Sequence, residues 1–235
     1  MSTAPERPFV LVNMAMTADG KIATANRAVT TFGSARDARH LYELRATADA
    51  ILCGARTVEE TGATLGNGGE IHRRARLRRG LAEYPVRVIA SESASISSSA
   101  AIWQKSFSPV VVLAGGTASK RNVSRLTKLG AHVWVAAGAE VDLALMLGRL
   151  RSEFGVRRLL CEGGGGLNDA LFRAGLVDEL HLTLCPRIFG GRQSPTIADG
   201  LGFPRLADAA LFELKSAKRH GDELFLVYRA VRPTG

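Results

Sequence analysis

Cysteine is scarce in this sequence. Cys53, Cys161 and Cys185 are the three in 235 residues, far apart and without a CxxC spacing. That argues against a zinc cluster or a disulfide framework and leaves all three as small core hydrophobes within apolar runs. Aromatic residues make up 6% and show no pattern that would stack bases, so a nucleic-acid-binding face of that kind is not expected. No apolar stretch approaches the roughly 18 to 20 residues of a membrane span, and the opening MSTAPERPFVLV lacks a basic region followed by a signal-type apolar run. Internal repeats and long linkers are also lacking. One low-complexity patch, SESASISSSA at 91–100, reads as a surface loop.

What is present is the composition of a soluble globular protein, with 46% hydrophobic and 23% charged residues, long enough to bury a full core. The formal charge of +9 favours polyanionic partners, among them phosphorylated metabolites. The densest basic run, HRRARLRRG at 72–80, has Ile71, Ala75 and Leu81 near helical spacing and reads as the solvated face of a helix.

Short β-branched runs alternate with helical patterns. Strands are expected at 9–16, 50–54, 86–90, 110–116, 131–136, 156–162 and 179–186. Helices are expected after Ser34, with Asp37 in capping-box position, and at 119–130, 141–150 and from about Leu167. The final runs ALFELKSAKR and ELFLVYRAV turn at Gly221 and Asp222, too close for a crossover, so they pair antiparallel. The fold class is α/β: a mostly parallel sheet with helices on both faces and a C-terminal antiparallel hairpin, in a single domain with its core at about 8–230.

In such sheets ligands bind beyond the carboxyl ends of the strands, and three segments fall there. LLCEGGGGLNDALF (159–172) places Gly163, Gly164, Gly165 and Gly166 between a strand and a helix start. Four glycines in a row are costly in backbone entropy unless positive φ or close approach is needed, so the run is either a tight turn or a phosphate cradle. It matches neither G-x-x-x-x-G-K-[ST] nor G-x-G-x-x-G. GARTVEE (54–60) offers Gly54 for close approach and Thr57 as a helix N-cap or phosphate-bonding hydroxyl. NMAMTADGKIA (13–23) has the turn dipeptide Asp19-Gly20 followed by Lys21, a solvated lysine or a cleft cation able to hold phosphate or donate a proton.

In this order and spacing, N-M-A-M-T-A-D-G-K-I-A, L-R-A-T-A-D-A-I-L-C-G-A-R-T-V, L-L-C-E-G-G-G-G-L-N and V-D-E-L-H-L-T-L-C-P-R-I-F-G-G resemble the pyrimidine reductase domain of bacterial riboflavin biosynthesis. The resemblance runs from about Pro8 to Arg229. It implies a dihydrofolate-reductase-like fold and hydride transfer from NADPH to the ribosyl C1′ of 5-amino-6-(5-phosphoribosylamino)uracil, giving the ribitylamino product. It also implies cofactor contacts at Gly54, Thr57, the glycine run and Leu167, with Lys21 and Glu162 in the substrate pocket beside Asp19 and a threonine corresponding to Thr30 or Thr31. Ser91, just past the 86–90 strand, is the candidate for the cofactor's 2′-phosphate. The deaminase motifs H-x-E and P-C-x-x-C do not occur, so a stand-alone reductase without metal is expected, as a cytoplasmic homodimer with no nucleic-acid or membrane partner.

One departure stands out. Where the riboflavin enzymes carry D-x-P, leucine and an arginine after G-x-x-T-V, this chain reads E-E-T-G-A-T-L-G-N-G-G, with Thr61 or Glu60 near the aspartate position and no arginine before Arg73. That bears on the substrate more than on the cofactor. Two other readings stay open: an NADPH-dependent reductase of dihydrofolate or another pterin, and a non-catalytic basic protein that binds nucleotide or nucleic acid.

Overall fold

The protein is described from a computed structural model, which covers residues 6–28 and 32–232; Thr30 and Thr31 therefore lie outside the described residues. Strands and helices alternate: β1 (Phe9–Thr17), α1 (Ala35–Arg45), β2 (Ala50–Gly54), α2 (Ala55–Thr61), α3 (Glu70–Arg78), β3 (Val86–Ala90), β4 (Val110–Ala114), α4 (Lys120–Lys128), β5 (His132–Val135), α5 (Leu143–Phe154), β6 (Arg158–Cys161), α6 (Gly165–Arg173), β7 (Glu179–Cys185), β8 (Phe212–His220) and β9 (Glu223–Ala230). The chain forms two compact units. One comprises Tyr42–Leu160 with the chain's start through Phe9, the other Val10–Leu41 with Cys161–Gly235.

In the first unit the strands run in the order β5-β4-β3-β2-β6. Parallel pairing joins β2 to β3, β3 to β4 and β4 to β5. Every residue of β4 is buried, which is why VVVLA is an uninterrupted apolar run rather than an alternating one. Ile51, Ile89, Val112 and Leu126 centre its core. Ser119 and Asp142 cap α4 and α5, each side chain accepting the backbone N–H three residues on.

The basic run at 72–80 does form a helix, but the expected solvated face holds a buried residue. Arg76 is fully buried, whereas Ile71 is 78% exposed. The Arg76 guanidinium donates to the carbonyls of Ala82, Arg45 and Ala48. Three carbonyls thus share one multi-donor group, and no aliphatic side chain could satisfy them. The 91–100 patch is likewise not all surface, because Ala94 and Ile96 are fully buried in the same core.

In the second unit the order is β1-β7-β9-β8. Here β1 and β7 are parallel, β7 and β9 antiparallel, and β8 and β9 antiparallel. The C-terminal hairpin turns at Gly221, whose φ is +61°. Ser34 caps α1 as expected, its Oγ accepting the N–H of Arg36 and Asp37. The capping box is not closed by Asp37, however. The Ser34 N–H and hydroxyl both donate to Glu223 of β9, at 2.7 and 2.6 Å, so a distant buried carboxylate takes the reciprocal role. α6 begins at Gly165, two residues before the expected Leu167. At a helix start the N–H groups need no helical acceptor, so glycine's poor propensity matters little there.

Candidate active site

The first unit carries Gly54, Thr57, Thr61 and Ser91. Gly54 ends β2 in register with Ala90 at the end of β3, so Ser91, the next residue, stands beside the β2–α2 turn. Gly54 is the N-cap of α2, and its helix start has no side-chain cap bond. Thr57 lies inside α2, which removes the N-cap alternative for it. Thr61, one turn further, donates its hydroxyl to the Thr57 carbonyl at 2.7 Å. Ser91 is largely buried, and its N–H bonds the Leu113 carbonyl.

The second unit carries Asp19, Lys21 and Glu162–Leu167. At the end of β1 the fully buried Thr17 donates its hydroxyl to Asp19 Oδ1 at 2.5 Å and accepts the Lys21 N–H at 2.9 Å. Asp19 also accepts the N–H groups of Phe189 and Gly190. The Thr17 hydroxyl and these amides outweigh desolvation and hold the Asp19 carboxyl below its ordinary range. Asp19 therefore ties the β1 turn to the segment after β7. Lys21 is half-buried, and its Nζ donates to the Ser194 carbonyl at 3.4 Å. Lys21 also forms an antiparallel bridge with Thr196, and the Ile22 N–H bonds the Pro195 carbonyl.

The four glycines divide into two kinds. Gly163 and Gly165 are buried while Gly164 is half-buried and Gly166 exposed. Gly163 has φ +81°, and a β-carbon on it would stand 2.8 Å from Met14 Sδ. One on Gly165 would stand 2.6 Å from the Thr196 carbonyl oxygen and 2.8 Å from the Asp199 carboxylate, whereas one on Gly166 would meet only Asp199 O at 3.4 Å. The close approach that Gly163 and Gly165 permit is thus to the protein's own chain. The Gly163–Gly164 peptide is cis. α6 starts without a side-chain cap, unlike α1, α4 and α5, so its first N–H groups and positive end suit an anion beside Gly164 and Gly166.

Sequence reasoning missed the segment at 194–202 and the residues that hold it. Asn168, fully buried, donates to the Ile197 carbonyl at 2.8 Å and accepts the Cys161 thiol. Asp169 accepts the Gly202 N–H. Asp199 accepts the Thr196 N–H and hydroxyl, and its own N–H bonds the Gly165 carbonyl. Nothing local to Asn168 and Asp169 in the sequence marks their partners, which lie 29 to 33 residues further along the chain.

Solved structures share this fold. A pyrimidine reductase-like protein from Corynebacterium diphtheriae aligns with a TM-score of 0.79 at 21% identity, covering 96% of this chain and 92% of that one. Acinetobacter baumannii RibD aligns with a TM-score of 0.77 at 20% identity over 96% of this chain and 59% of RibD, so the chain spans about 59% of that longer protein. The fold is accordingly that of the dihydrofolate-reductase-like α/β reductases. The family model described as the RibD C-terminal domain matches residues 8–226, and the chain belongs to that family. A relative from Methanothermobacter thermautotrophicus, named 2,5-diamino-6-ribosylamino-4(3H)-pyrimidinone 5′-phosphate reductase, is 37% identical over 222 residues, 94% of this chain and 98% of its own.

Proposed function

We propose that this chain is the reductase of riboflavin biosynthesis that converts a ribosylaminopyrimidine 5′-phosphate to its ribitylamino product with NADPH. The observation that carries the reading is the match, along nearly the full length of both chains, to a protein named for that reduction. The relative's name specifies a 2,5-diaminopyrimidinone, which bears an amino group at the ring position where 5-amino-6-(5-phosphoribosylamino)uracil bears an oxygen. The diaminopyrimidinone is therefore the first substrate to assay and the uracil the second.

When bound, the dihydronicotinamide supplies the hydride. Within the second unit, the N–H groups at Gly164 and Gly166 and the uncapped start of α6 would hold its diphosphate; within the first, Gly54 and Thr57 at the β2–α2 turn would be cofactor contacts and Ser91 the contact for a 2′-phosphate. Reduction at C1′ requires the ribose opened to an imine, and protonating that nitrogen makes the carbon a better hydride acceptor. Lys21 would donate that proton or stabilise the charge, a role that the bond from its ammonium to the Ser194 carbonyl supports. Glu162, just past β6, would take hydrogen bonds from the aminopyrimidine N–H groups. Thr61 and Thr30 or Thr31 remain substrate contacts in this reading, while Asp19 serves by fixing the turn that carries Lys21. The reading extends to one reductase domain acting as a cytoplasmic homodimer.

The test is oxidation of NADPH by the purified protein with the diaminopyrimidinone phosphate, the uracil phosphate and dihydrofolate in parallel. Turnover of a pyrimidine phosphate without turnover of dihydrofolate is expected; turnover of dihydrofolate alone overturns the reading.

A further inference from the structure

Lys21 does not hold itself. Its ammonium rests on the Ser194 carbonyl, its backbone bridges Thr196, and the next residue bonds Pro195. The placement of this cation therefore depends on the course of residues 194–196. That segment is anchored on its other side at the start of α6. Asn168 grips the Ile197 carbonyl from a fully buried position, and the Asp199 N–H bonds the Gly165 carbonyl. The Asp199 carboxylate then folds the segment back by accepting the Thr196 N–H and hydroxyl at 2.9 and 2.7 Å.

We propose that Asn168 is a positioning residue for Lys21, acting through the 194–199 segment and setting the cation's distance from the glycine turn of α6. The residue type suits the task. An amide carries both an acceptor for the Cys161 thiol at the end of β6 and a donor for Ile197, so one side chain ties the strand end to the segment. Aspartate in its place would turn an acceptor toward the Ile197 carbonyl, and alanine would leave that half-buried carbonyl without its partner. Catalytic geometry is sensitive to shifts of this kind, because a small misplacement of a reacting group costs far more in turnover than in binding.

This inference rests on Lys21 acting in the reaction, and the experiment separates the two claims. Steady-state kinetics are measured on Lys21→Met, Asn168→Ala, Asp199→Ala and the Lys21→Met/Asn168→Ala pair, with NADPH and the pyrimidine phosphate. We expect Asn168→Ala to lower kcat about tenfold or more, with the KM for NADPH changed less than about threefold, and to add less than about twofold loss once Lys21 is gone, the non-additivity of groups that act as a unit. Asp199→Ala, at an exposed position, should reproduce part of the kcat loss in a protein that folds normally, which keeps the test open if Asn168→Ala is unstable. A near-wild-type Lys21→Met would overturn the assignment of Lys21 and the inference with it. A defective Lys21→Met with multiplying losses in the double variant would overturn the role of Asn168 alone, as would unchanged kcat in both Asn168→Ala and Asp199→Ala.

Discussion

Alanine at Gly165 and at Gly166 should fail in different ways, although the two glycines are neighbours at the start of α6. At Gly165 the new methyl would lie 2.6 Å from the Thr196 carbonyl oxygen and 2.8 Å from the Asp199 carboxylate. Both distances are shorter than any relaxed carbon–oxygen contact, and the nearer atom belongs to the backbone, so the segment must move. Overpacking of this kind costs about 1–3 kcal/mol. Gly165 opens α6, where helix propensity matters little, so alanine's better propensity offsets little of this and the net loss stays at about 1–3 kcal/mol. For a chain of this size that lowers Tm by roughly 2–12 °C, and because the displaced segment carries Lys21's partners, kcat should fall as well. At Gly166 the methyl would stand 3.4 Å from the Asp199 carbonyl oxygen, a contact the chain can accommodate, so Tm should move by less than about 2 °C. The exposed side of Gly166 is where the cofactor diphosphate is placed in this account. Gly166→Ala should therefore weaken NADPH about tenfold, or about 1.4 kcal/mol. Calorimetric Tm and an NADPH titration on both variants give the answer. A Gly165→Ala protein with unchanged Tm and weakened NADPH binding would refute the division of the glycines into packing and ligand roles.

Further outcomes follow from the same geometry. Lys21→Ala and Glu162→Gln should each lower kcat/KM for the pyrimidine phosphate about a hundredfold, on the order of 3 kcal/mol of transition-state stabilisation, with NADPH affinity changed less than about threefold; near-wild-type kinetics would remove them from the site. Burial, and secondarily the charge of Glu223, raise the Asp37 carboxyl above its ordinary range. The folded state thus holds that proton more tightly than the unfolded chain, and the contribution to stability, complete below the ordinary carboxyl range, is lost as pH rises through the raised pKa. Asp37→Asn should flatten that part of a plot of Tm against pH, and an unchanged profile would contradict the assignment. Burial pushes the thiols of Cys161 and Cys185 up to about 12, so neither should react with iodoacetamide at mildly alkaline pH until the protein is unfolded; modification at the native rate of a free thiol would contradict their placement.

The parts of this fold legible in the sequence are those whose cause is local. Strands such as VVVLA announce themselves because a parallel strand buried on both faces must be apolar throughout, and Ser34 marks the start of α1 by chemistry within three residues. The hairpin at Gly221 and Asp222 is legible for the same reason. What could not be read depends on partners far along the chain. Arg76 is buried because it meets carbonyls from residues 45 and 48, and a basic run carries no sign of that. Lys21 meets Ser194 across 173 positions, and Asn168 meets Ile197 across 29. The glycine run was legible as a demand for close approach, but which group approaches each glycine was not: two of them face the protein's own chain.

The central claim is that this chain reduces a ribosylaminopyrimidine phosphate at C1′. Its most direct test is mass spectrometry of the product formed by purified protein from 2,5-diamino-6-ribosylamino-4(3H)-pyrimidinone 5′-phosphate and NADPH deuterated at the transferable position. The account predicts a ribitylamino product carrying one deuterium at C1′. Recovery of unreduced substrate under conditions in which the same preparation reduces dihydrofolate would contradict it.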